Sequence, residues 1–241
     1  MIDYLLTGHE KFDSVIRAIA RGRPGRMISP GDSFKGELAV IMSMHPGVFE
    51  MQQKARREGR PYLFIDHAYW QRGHDARNYR IVAGEVYNNH MVKRDHSRLF
   101  KWGARVSEAR RGGGKYILVI MPSRNVAAMY GAEAVKEWLK ETALSVKAAR
   151  GLPIKLKYKN EGSFSEALED AACVVSYASA ADVEAVCAGV DGHFSSHSPA
   201  APVSLHAESR PQRIDWAASL AWQQWNISEM EAGAHWPVYG V

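Results

Sequence analysis

The fold prediction rests on residues 170–189, which read DAACVVSYASAADVEAVCAG. Residues 173–177 form an apolar run typical of a buried strand, and residues 181–188 have the pattern of a helix that Gly189 ends. A buried strand followed by a helix is one unit of a parallel sheet that helices cover. The sequence therefore predicts an α/β protein, provided that similar units occur elsewhere in the chain.

Similar units do recur on both sides of this stretch. The predicted strands lie at residues 2–6, 27–29, 38–44, 62–65, 116–121, 154–158 and 173–177. The predicted helices lie at residues 12–21, 46–58, 132–150, 163–170, 181–188 and 214–232. An irregular region separates the two series, and we place a boundary in it that divides the chain into residues 1–111 and 112–241. Residues 192–211, rich in Ser, Pro and His, are predicted to form a long loop.

The composition narrows the possible function classes. Of the 241 residues, 46% are hydrophobic and 24% are charged, which excludes a disordered or fibrous chain. Thirty-one Lys and Arg against 26 Asp and Glu give a net charge of +5, which suits a polyanionic partner or serves solubility alone. Two cysteines, Cys173 and Cys187, are too few for a disulfide framework or a four-cysteine zinc site. The lack of a long apolar run or a leader-like N-terminus leads us to expect a cytoplasmic protein without a membrane partner.

The turn between residues 176 and 181 is a candidate phosphate site. It carries Ser176 and Ser179 at the end of a strand, where backbone N–H groups and the start of a helix favour an anion. Glu184 lies one to two turns into that helix and can accept hydrogen bonds from a ribose. An ordinary strand and helix joined by a capping serine would give the same pattern.

The spacing Ser179-x-x-x-x-Glu184-Ala-x-x-x-Gly189 resembles the donor-binding region of GT-B glycosyltransferases. This resemblance implies two small Rossmann-like, GT-B-like lobes with a cleft between them. The C-terminal lobe would hold a nucleotide diphosphate sugar, with a UDP-sugar as the leading candidate. Ser176 and Ser179 would hold the diphosphate and Glu184 the ribose, while further basic residues would neutralise the phosphates, namely Arg124, Lys155 and Lys157.

Candidates for the catalytic base of the sugar transfer follow the predicted strands of the first lobe. Asp66 and His67 follow one strand, and a histidine beside a carboxylate can remove a proton near neutral pH. His9 and Glu10 follow the first strand and form a second candidate pair. Both pairs are also compatible with purely structural hydrogen bonding. His45, before Pro46, is a weaker candidate because His-Pro also begins ordinary helices.

Most of the chain is similar to a set of proteins from tailed-phage genomes. The similarity lies in Ile65 to Tyr69 (IDHAY), in Asn78 to Arg80 (NYR) and in residues 221–233, which include Gln224-Trp225, Glu229 and Gly233. It implies a phage-encoded glycosyltransferase related to capsule-polysaccharide transferases and to DNA-base glycosyltransferases. A hydroxymethylated pyrimidine in phage DNA would be one candidate acceptor, reached in the host cytoplasm.

A different class of function remains open for the basic segment 72–111. Basic side chains bind phosphates, and unpaired bases stack on aromatic rings such as Tyr79, Tyr87, Phe100 and Trp102. The alternative is therefore a non-catalytic nucleic-acid-binding protein. The sequence lacks a P-loop, a dinucleotide-binding G-x-G-x-x-G after the first strand and a G-x-S-x-G elbow, which disfavours kinases, dehydrogenases and hydrolases. It also lacks a paired Asp-x-Asp, so we expect no metal. A third possibility is a sugar-nucleotide epimerase or hydrolase on the same fold.

Overall fold

The computed structural model describes residues 1–43, 46–72, 77–110, 113–207 and 211–240. Its elements in the first half are β1 (Ile2–Leu5), α1 (Glu10–Gly22), β2 (Arg26–Ile28), β3 (Leu38–Met42), α2 (Pro46–Arg57), β4 (Tyr62–His67), β5 (Asn78–Ala83) and α3 (Ser97–Lys101). The second half has β6 (Tyr116–Ile120), α4 (Arg124–Tyr130), α5 (Ala132–Arg150), β7 (Ile154–Lys157), α6 (Phe164–Glu169), β8 (Ala171–Ser176), α7 (Ala181–Cys187), β9 (Gly192–Phe194), α8 (Arg213–Ala221), β10 (Gln224–Asn226) and α9 (Ile227–Glu231). The predicted α/β class is confirmed, because two mainly parallel sheets form.

The first sheet has the strand order β10-β5-β4-β3-β1-β2. Strands β1 to β4 pair in parallel, and β5 and β10 add antiparallel strands at one side. All five residues of β3 are buried, as expected for a strand whose two faces are both covered. Because β1, β3 and β4 are parallel neighbours, their carboxyl ends meet at one edge, which is where open α/β sheets bind ligands.

The second sheet has the order β7-β6-β8-β9, and all its pairs are parallel. Helix α5 covers one face of this sheet. The apolar side of α5 and the central strands share one core, which consists of Val135, Leu139, Ala143, Val146, Ile117, Val119, Cys173 and Val175. The carboxyl ends of β6, β8 and β9 again lie at one edge.

The C-terminal segment differs from its prediction. Instead of one helix over residues 214–232, the chain forms α8, the short strand β10 and then α9. The helix stops because Gln224 to Asn226 pair with β5, and because Asn226 begins a new helix through a reciprocal capping box with Glu229. Gly233 then packs so close to Gly22 that a Cβ on Gly22 would lie 2.7 Å from the Gly233 nitrogen.

The contacts divide the chain into two compact units, but the divisions do not fall at the expected boundary. The first unit holds residues 1–86 and 221–241, and the second holds residues 87–220. Residues 111 and 112, where the boundary was expected, lie outside the described residues. Residues 221–241 join the first unit because β10 extends its sheet and α9 packs against α1. Two further strands were not predicted: β5 lies in the region taken as irregular, and β9 in the region taken as loop.

Candidate functional site

The carboxyl end of β4 carries an ion pair that the sequence did not indicate. Arg80 on β5 lies opposite Asp66 and is 1% exposed, and its Nη2 donates to Asp66 Oδ2 at 2.7 Å. Its Nη1 donates to the His67 carbonyl oxygen at 2.6 Å. The other Asp66 oxygen accepts the His67 backbone N–H at 2.7 Å. Arg80 therefore holds both the Asp66 carboxylate and the His67 backbone in place. These are the two residues that were predicted to supply the catalytic base.

The loop after β4 is held by a residue from the far end of the chain. Gln224 is fully buried, and its Oε1 accepts the backbone N–H groups of Tyr69 at 2.9 Å and Trp70 at 3.0 Å. Its Nε2 donates to the Trp70 carbonyl oxygen at 3.0 Å. The three segments of the phage-protein resemblance thus meet in the first unit, since Gln224 and Arg80 both contact the segment that contains Asp66.

His67 is the exposed member of this group. Its ring stacks beside Tyr79, with 6.3 Å between ring centroids, while the Arg80 guanidinium lies 5.3 Å from the ring centroid of Tyr69. The His67 imidazole therefore lies at the carboxyl edge of the sheet. The buried Arg80 binds the His67 carbonyl, and the buried Gln224 binds the backbone of the loop that follows. An imidazole in this position can exchange protons with a bound ligand.

The predicted His9 and Glu10 lie at the same edge, at the start of α1. Thr7 and Asp13 build the turn: the Thr7 N–H and hydroxyl both donate to Asp13 Oδ1, at 2.6 and 2.9 Å, and the His9 N–H donates to the Thr7 hydroxyl at 3.0 Å. Both His9 and Glu10 are exposed. Ser43, at the end of β3, has a φ of 74°, an unusual backbone conformation for a non-glycine residue. His45 lies outside the described residues.

In the second unit, the predicted phosphate turn already holds a carboxylate. Asp182 is completely buried, and its Oδ2 accepts the Ser179 N–H at 3.0 Å and the Ser198 hydroxyl at 2.6 Å. Burial raises the pKa of Asp182 to about 6, although the hydroxyls of Ser176 and Ser198 and the Ser179 N–H lower it. Ser176 is 1% exposed and faces this carboxyl group rather than solvent. Asp182 is a functional candidate that the sequence interpretation missed.

The predicted basic residues of the donor site fall into two groups. The ammonium of Lys157 is buried and donates to three backbone carbonyls, those of Tyr158, Glu161 and Gly162. These three hydrogen bonds close the turn after β7. The ammonium that was predicted to bind phosphate therefore already has three partners. In contrast, Lys155 is exposed over the Tyr116 ring, with 4.6 Å from Nζ to the centroid.

Two other predicted donor ligands lie in the second unit and differ in exposure. Arg124 is exposed at the first residue of α4, directly after the cap residue Ser123. Glu184 is half-buried on α7. Three rings from the segments after β6, β8 and β9 form a cluster: Tyr130 and His197 lie 4.3 Å apart by centroid, and Tyr177 lies 5.7 and 5.5 Å from them. This ring cluster was not predicted, because its members are far apart in sequence.

The basic segment 72–111 has a different surface from the one expected for nucleic acid. Of its four aromatic residues, all of which the structure describes, Tyr79, Tyr87 and Trp102 are buried and Phe100 is 67% exposed. Arg80 is buried, and Arg110 donates to the carbonyl oxygens of Leu168 and Glu169. Asp75 and Arg111 lie outside the described residues.

Two properties of the described residues concern metal binding and membrane crossing. In the described ranges, no three His, Cys, Asp or Glu side chains are grouped so that they could hold a metal ion. Within those same ranges, no helix combines the length and the apolar character needed to cross a membrane.

Comparison with known proteins gives a likeness of fold. No family model matches the sequence, and no curated protein matches it. The solved structure of Thermosulfurimonas dismutans KpsC, beta Kdo 2,4 transferase, is similar over 90% of this chain and 89% of that chain, with 12% identity and a TM-score of 0.52. That of Thermosulfurimonas dismutans KpsC, beta Kdo 2,7 transferase, is similar over 99% of this chain and 100% of that chain, again with 12% identity and a TM-score of 0.52. At this identity the likeness shows a shared fold.

Proposed function

We propose that the chain is a glycosyltransferase that moves a sugar from a nucleotide sugar to an acceptor hydroxyl. The observation that carries the proposal is the fold: the chain matches two solved proteins named as Kdo transferases over 90% and 99% of its length. Polar and titratable side chains follow the strands at the carboxyl edge of each sheet, where ligands of open α/β sheets bind. The proposed class is a metal-independent GT-B-type enzyme, encoded by a phage.

The second unit would bind the donor. We assign the ribose to Glu184 and the phosphates to Arg124, Lys155 and the Ser179 turn, with UDP-sugar as the first donor to test. Two of the predicted ligands are less suited to this role, because Lys157 is occupied by three carbonyls and Ser176 is buried against Asp182. With fewer phosphate ligands than expected, a nucleoside monophosphate sugar is the natural second donor to compare.

The first unit would supply the base, and its geometry favours His67 over Asp66. Both carboxylate oxygens of Asp66 are engaged, one by a buried arginine and one by a backbone N–H. We therefore assign to His67 the removal of the acceptor hydroxyl proton. The hydroxyl oxygen then bonds to the anomeric carbon as the bond from that carbon to the phosphate oxygen breaks, and the nucleotide leaves with the electron pair. Asp66 positions His67, and His9 with Glu10 is the second candidate pair.

For the acceptor we propose a hydroxymethylated pyrimidine in DNA, on the phage-protein resemblance. A pyrimidine inside a duplex would have to be flipped out of the helix before its hydroxyl could reach the proposed catalytic base, His67. The acceptor assay therefore compares single-stranded and duplex oligonucleotides that contain 5-hydroxymethylcytosine with the same oligonucleotides that contain cytosine. Transfer to the modified base alone supports this acceptor, and transfer to neither directs the search to saccharide hydroxyls.

The donor is tested by thermal unfolding with a panel of nucleoside diphosphate and monophosphate sugars. A ligand at a hundred times its dissociation constant adds about 2.7 kcal/mol to the free energy of unfolding. Glu184→Gln should abolish the shift that one nucleotide sugar produces, while Glu137→Gln, an exposed charge change on α5 in the same unit, should leave it unchanged. If no member of the panel stabilises the wild-type protein, the transferase proposal fails.

Nucleic-acid binding without catalysis is the second candidate, and one observation favours it. The Phe100 ring is exposed beside the basic Arg98 and Lys101 on α3, which is an arrangement that can stack a base and contact its phosphate. Affinity for single-stranded DNA should then fall steeply with salt, since phosphate contacts release counterions. Phe100→Ala should weaken this binding at every salt concentration, whereas Glu184→Gln should have no effect on it.

A further inference from the structure

A cavity of about 550 Å³ lies in the second unit, and its lining includes no residue of the Ser176 to Ser179 turn. It is bounded by the C-terminal half of α5, by β9 and by the residues after the short 3₁₀ turn at Ala201–Val203. Its volume falls within the range of roughly 300 to 1,000 Å³ that is usual for small-molecule sites. Helix α5 starts near the carboxyl edge of the sheet and ends where the parallel strand β7 begins, so its last turn lies toward the amino edge.

Two histidines on the cavity wall are hydrogen-bonded to each other. Nδ1 of His193, on β9, lies 2.8 Å from Nε2 of His206, and the ring centroids are 4.3 Å apart. A single proton lies between the two rings, which leaves Nε2 of His193 and Nδ1 of His206 outside this bond. Burial, with smaller contributions from His206 and Arg150, lowers the pKa of His193 to about 4. His193 is therefore neutral at pH 7 when the cavity holds no compensating charge.

The same end of the cavity carries a fixed positive charge. Arg150 is the last residue of α5 and lines the cavity with the two histidines. Asp191 is the carboxylate that raises the pKa of His193, and it is already paired with Arg213 at 2.5 Å. The cavity's own carboxylate, Glu141, lies nine residues earlier on α5, about 13 Å along the helix axis. Among the residues that the structure describes, no carboxylate forms an ion pair with Arg150.

We propose that this cavity binds a tetrahedral oxyanion, such as a phosphate group, between Arg150 and the His193–His206 pair. Arg150 presents the planar fork of donors that matches phosphate oxygens, and Thr142 and Ser145 also line the cavity. A bound anion would place a negative charge beside the two rings, so His193 would take up a proton while the N–H···N bond between the rings is kept. The site shares no residue with the proposed donor site and does not rest on the proposed enzymatic function.

The test is a calorimetric titration of the full chain with sodium sulfate, whose charge is constant between pH 6 and pH 8. Sodium chloride at matched ionic strength is the reference. Sulfate should bind more tightly at pH 6 than at pH 8, and the proton uptake should appear as a dependence of the binding enthalpy on the buffer. Arg150→Gln should weaken sulfate binding by roughly tenfold or more, because a charge-assisted contact is lost. Lys147→Gln, a matched charge change outside the cavity lining on the same helix, should not weaken it.

The substitution His206→Gln provides a second variant at a solvent-exposed position, which guards against a folding defect in the arginine variant. It should reduce the pH dependence of sulfate binding, because His193 loses the imidazole that is hydrogen-bonded to it, and leave weaker binding through Arg150. A parallel titration with ribose 5-phosphate tells whether the cavity accepts a phosphate ester as well as a free oxyanion. Sulfate that binds no better than chloride, or equal affinities of Arg150→Gln and Lys147→Gln, would overturn the proposal.

Discussion

A fully buried histidine in the first unit predicts a specific loss of stability in mild acid. His235 has no exposed surface, and in the described part of the chain neither of its ring nitrogens has a hydrogen-bond partner. Its ring packs against Trp236 at 4.4 Å and Trp225 at 6.1 Å between centroids. Burial lowers the pKa of His235 from 6.5 to about 4. The unfolded chain therefore binds a proton in a pH range where the folded chain does not.

The sign and size of the effect follow from this difference in pKa. Above pH 6.5 the buried His235 has little effect on the free energy of unfolding. As the pH drops toward 4, the free energy of unfolding falls, because the unfolded state gains the proton first. The two pKa values give a loss of about 2 kcal/mol between pH 7 and pH 5, and about 3 kcal/mol by pH 4. In His235→Phe this term is absent, so its stability should fall less with pH than that of the wild type.

Urea unfolding at pH 7, 6 and 5, followed by tryptophan fluorescence, measures this difference. His9→Phe serves as the control, because His9 is an exposed histidine in the same unit. The comparison uses the change with pH rather than the absolute stability, so the packing of the new ring does not affect it. Contributions from other groups, such as the buried carboxyl of Asp182, cancel because they are common to all variants. Parallel pH profiles for the wild type and His235→Phe would refute the reasoning.

Three further predictions concern the buried polar groups of both units. Arg80→Leu should destabilise the first unit by about 3 to 5 kcal/mol in urea unfolding, because Asp66 and the His67 carbonyl lose a buried partner; a change below 1 kcal/mol would contradict the assigned role. Gln224→Leu should cost about 1 to 3 kcal/mol, because buried backbone groups at Tyr69 and Trp70 become unsatisfied, and native-state hydrogen exchange should show faster exchange of those two amides. Asp182→Asn should be more stable than the wild type at pH 8, where burial of the charged carboxylate is costly, and should lose this advantage at pH 4. Equal stability differences at both pH values would show that the Asp182 carboxyl does not titrate differently on folding.

The parts of the fold that could be predicted are those with strong local patterns. Strands β3, β6 and β8 are continuous apolar runs, and such runs in a parallel sheet are buried on both faces. Strands β5 and β10 contain Arg80 and Gln224, which are polar residues that would ordinarily be placed at the surface. Their burial is possible only because partners more than ten and more than 150 residues away satisfy them. No local pattern contains this information.

The residues of the candidate site also divide into those that a local pattern reveals and those that depend on contacts the pattern does not show. The pair Asp66 and His67 was found because a charged turn follows an apolar strand. Lys157 was assigned to phosphate on its position in a strand, but its ammonium is held by carbonyls of the turn that follows it. One signal was readable and was missed: Asn226 and Glu229 have the spacing of a helix-capping box, which argues against a single helix through this region.

The position of β10 also constrains the order in which the protein can fold during synthesis. Residues 87–220 form a compact unit, and all of them leave the ribosome before residue 224 does. The first unit begins at residue 1 but lacks an outer strand and the Gln224 clamp on residues 69 and 70 until its final segment is made. The later-synthesised unit can therefore fold first, although domains generally fold in N-terminal order. A nascent chain stalled near residue 220 would expose the edge of β5, which is then open to pairing with another chain.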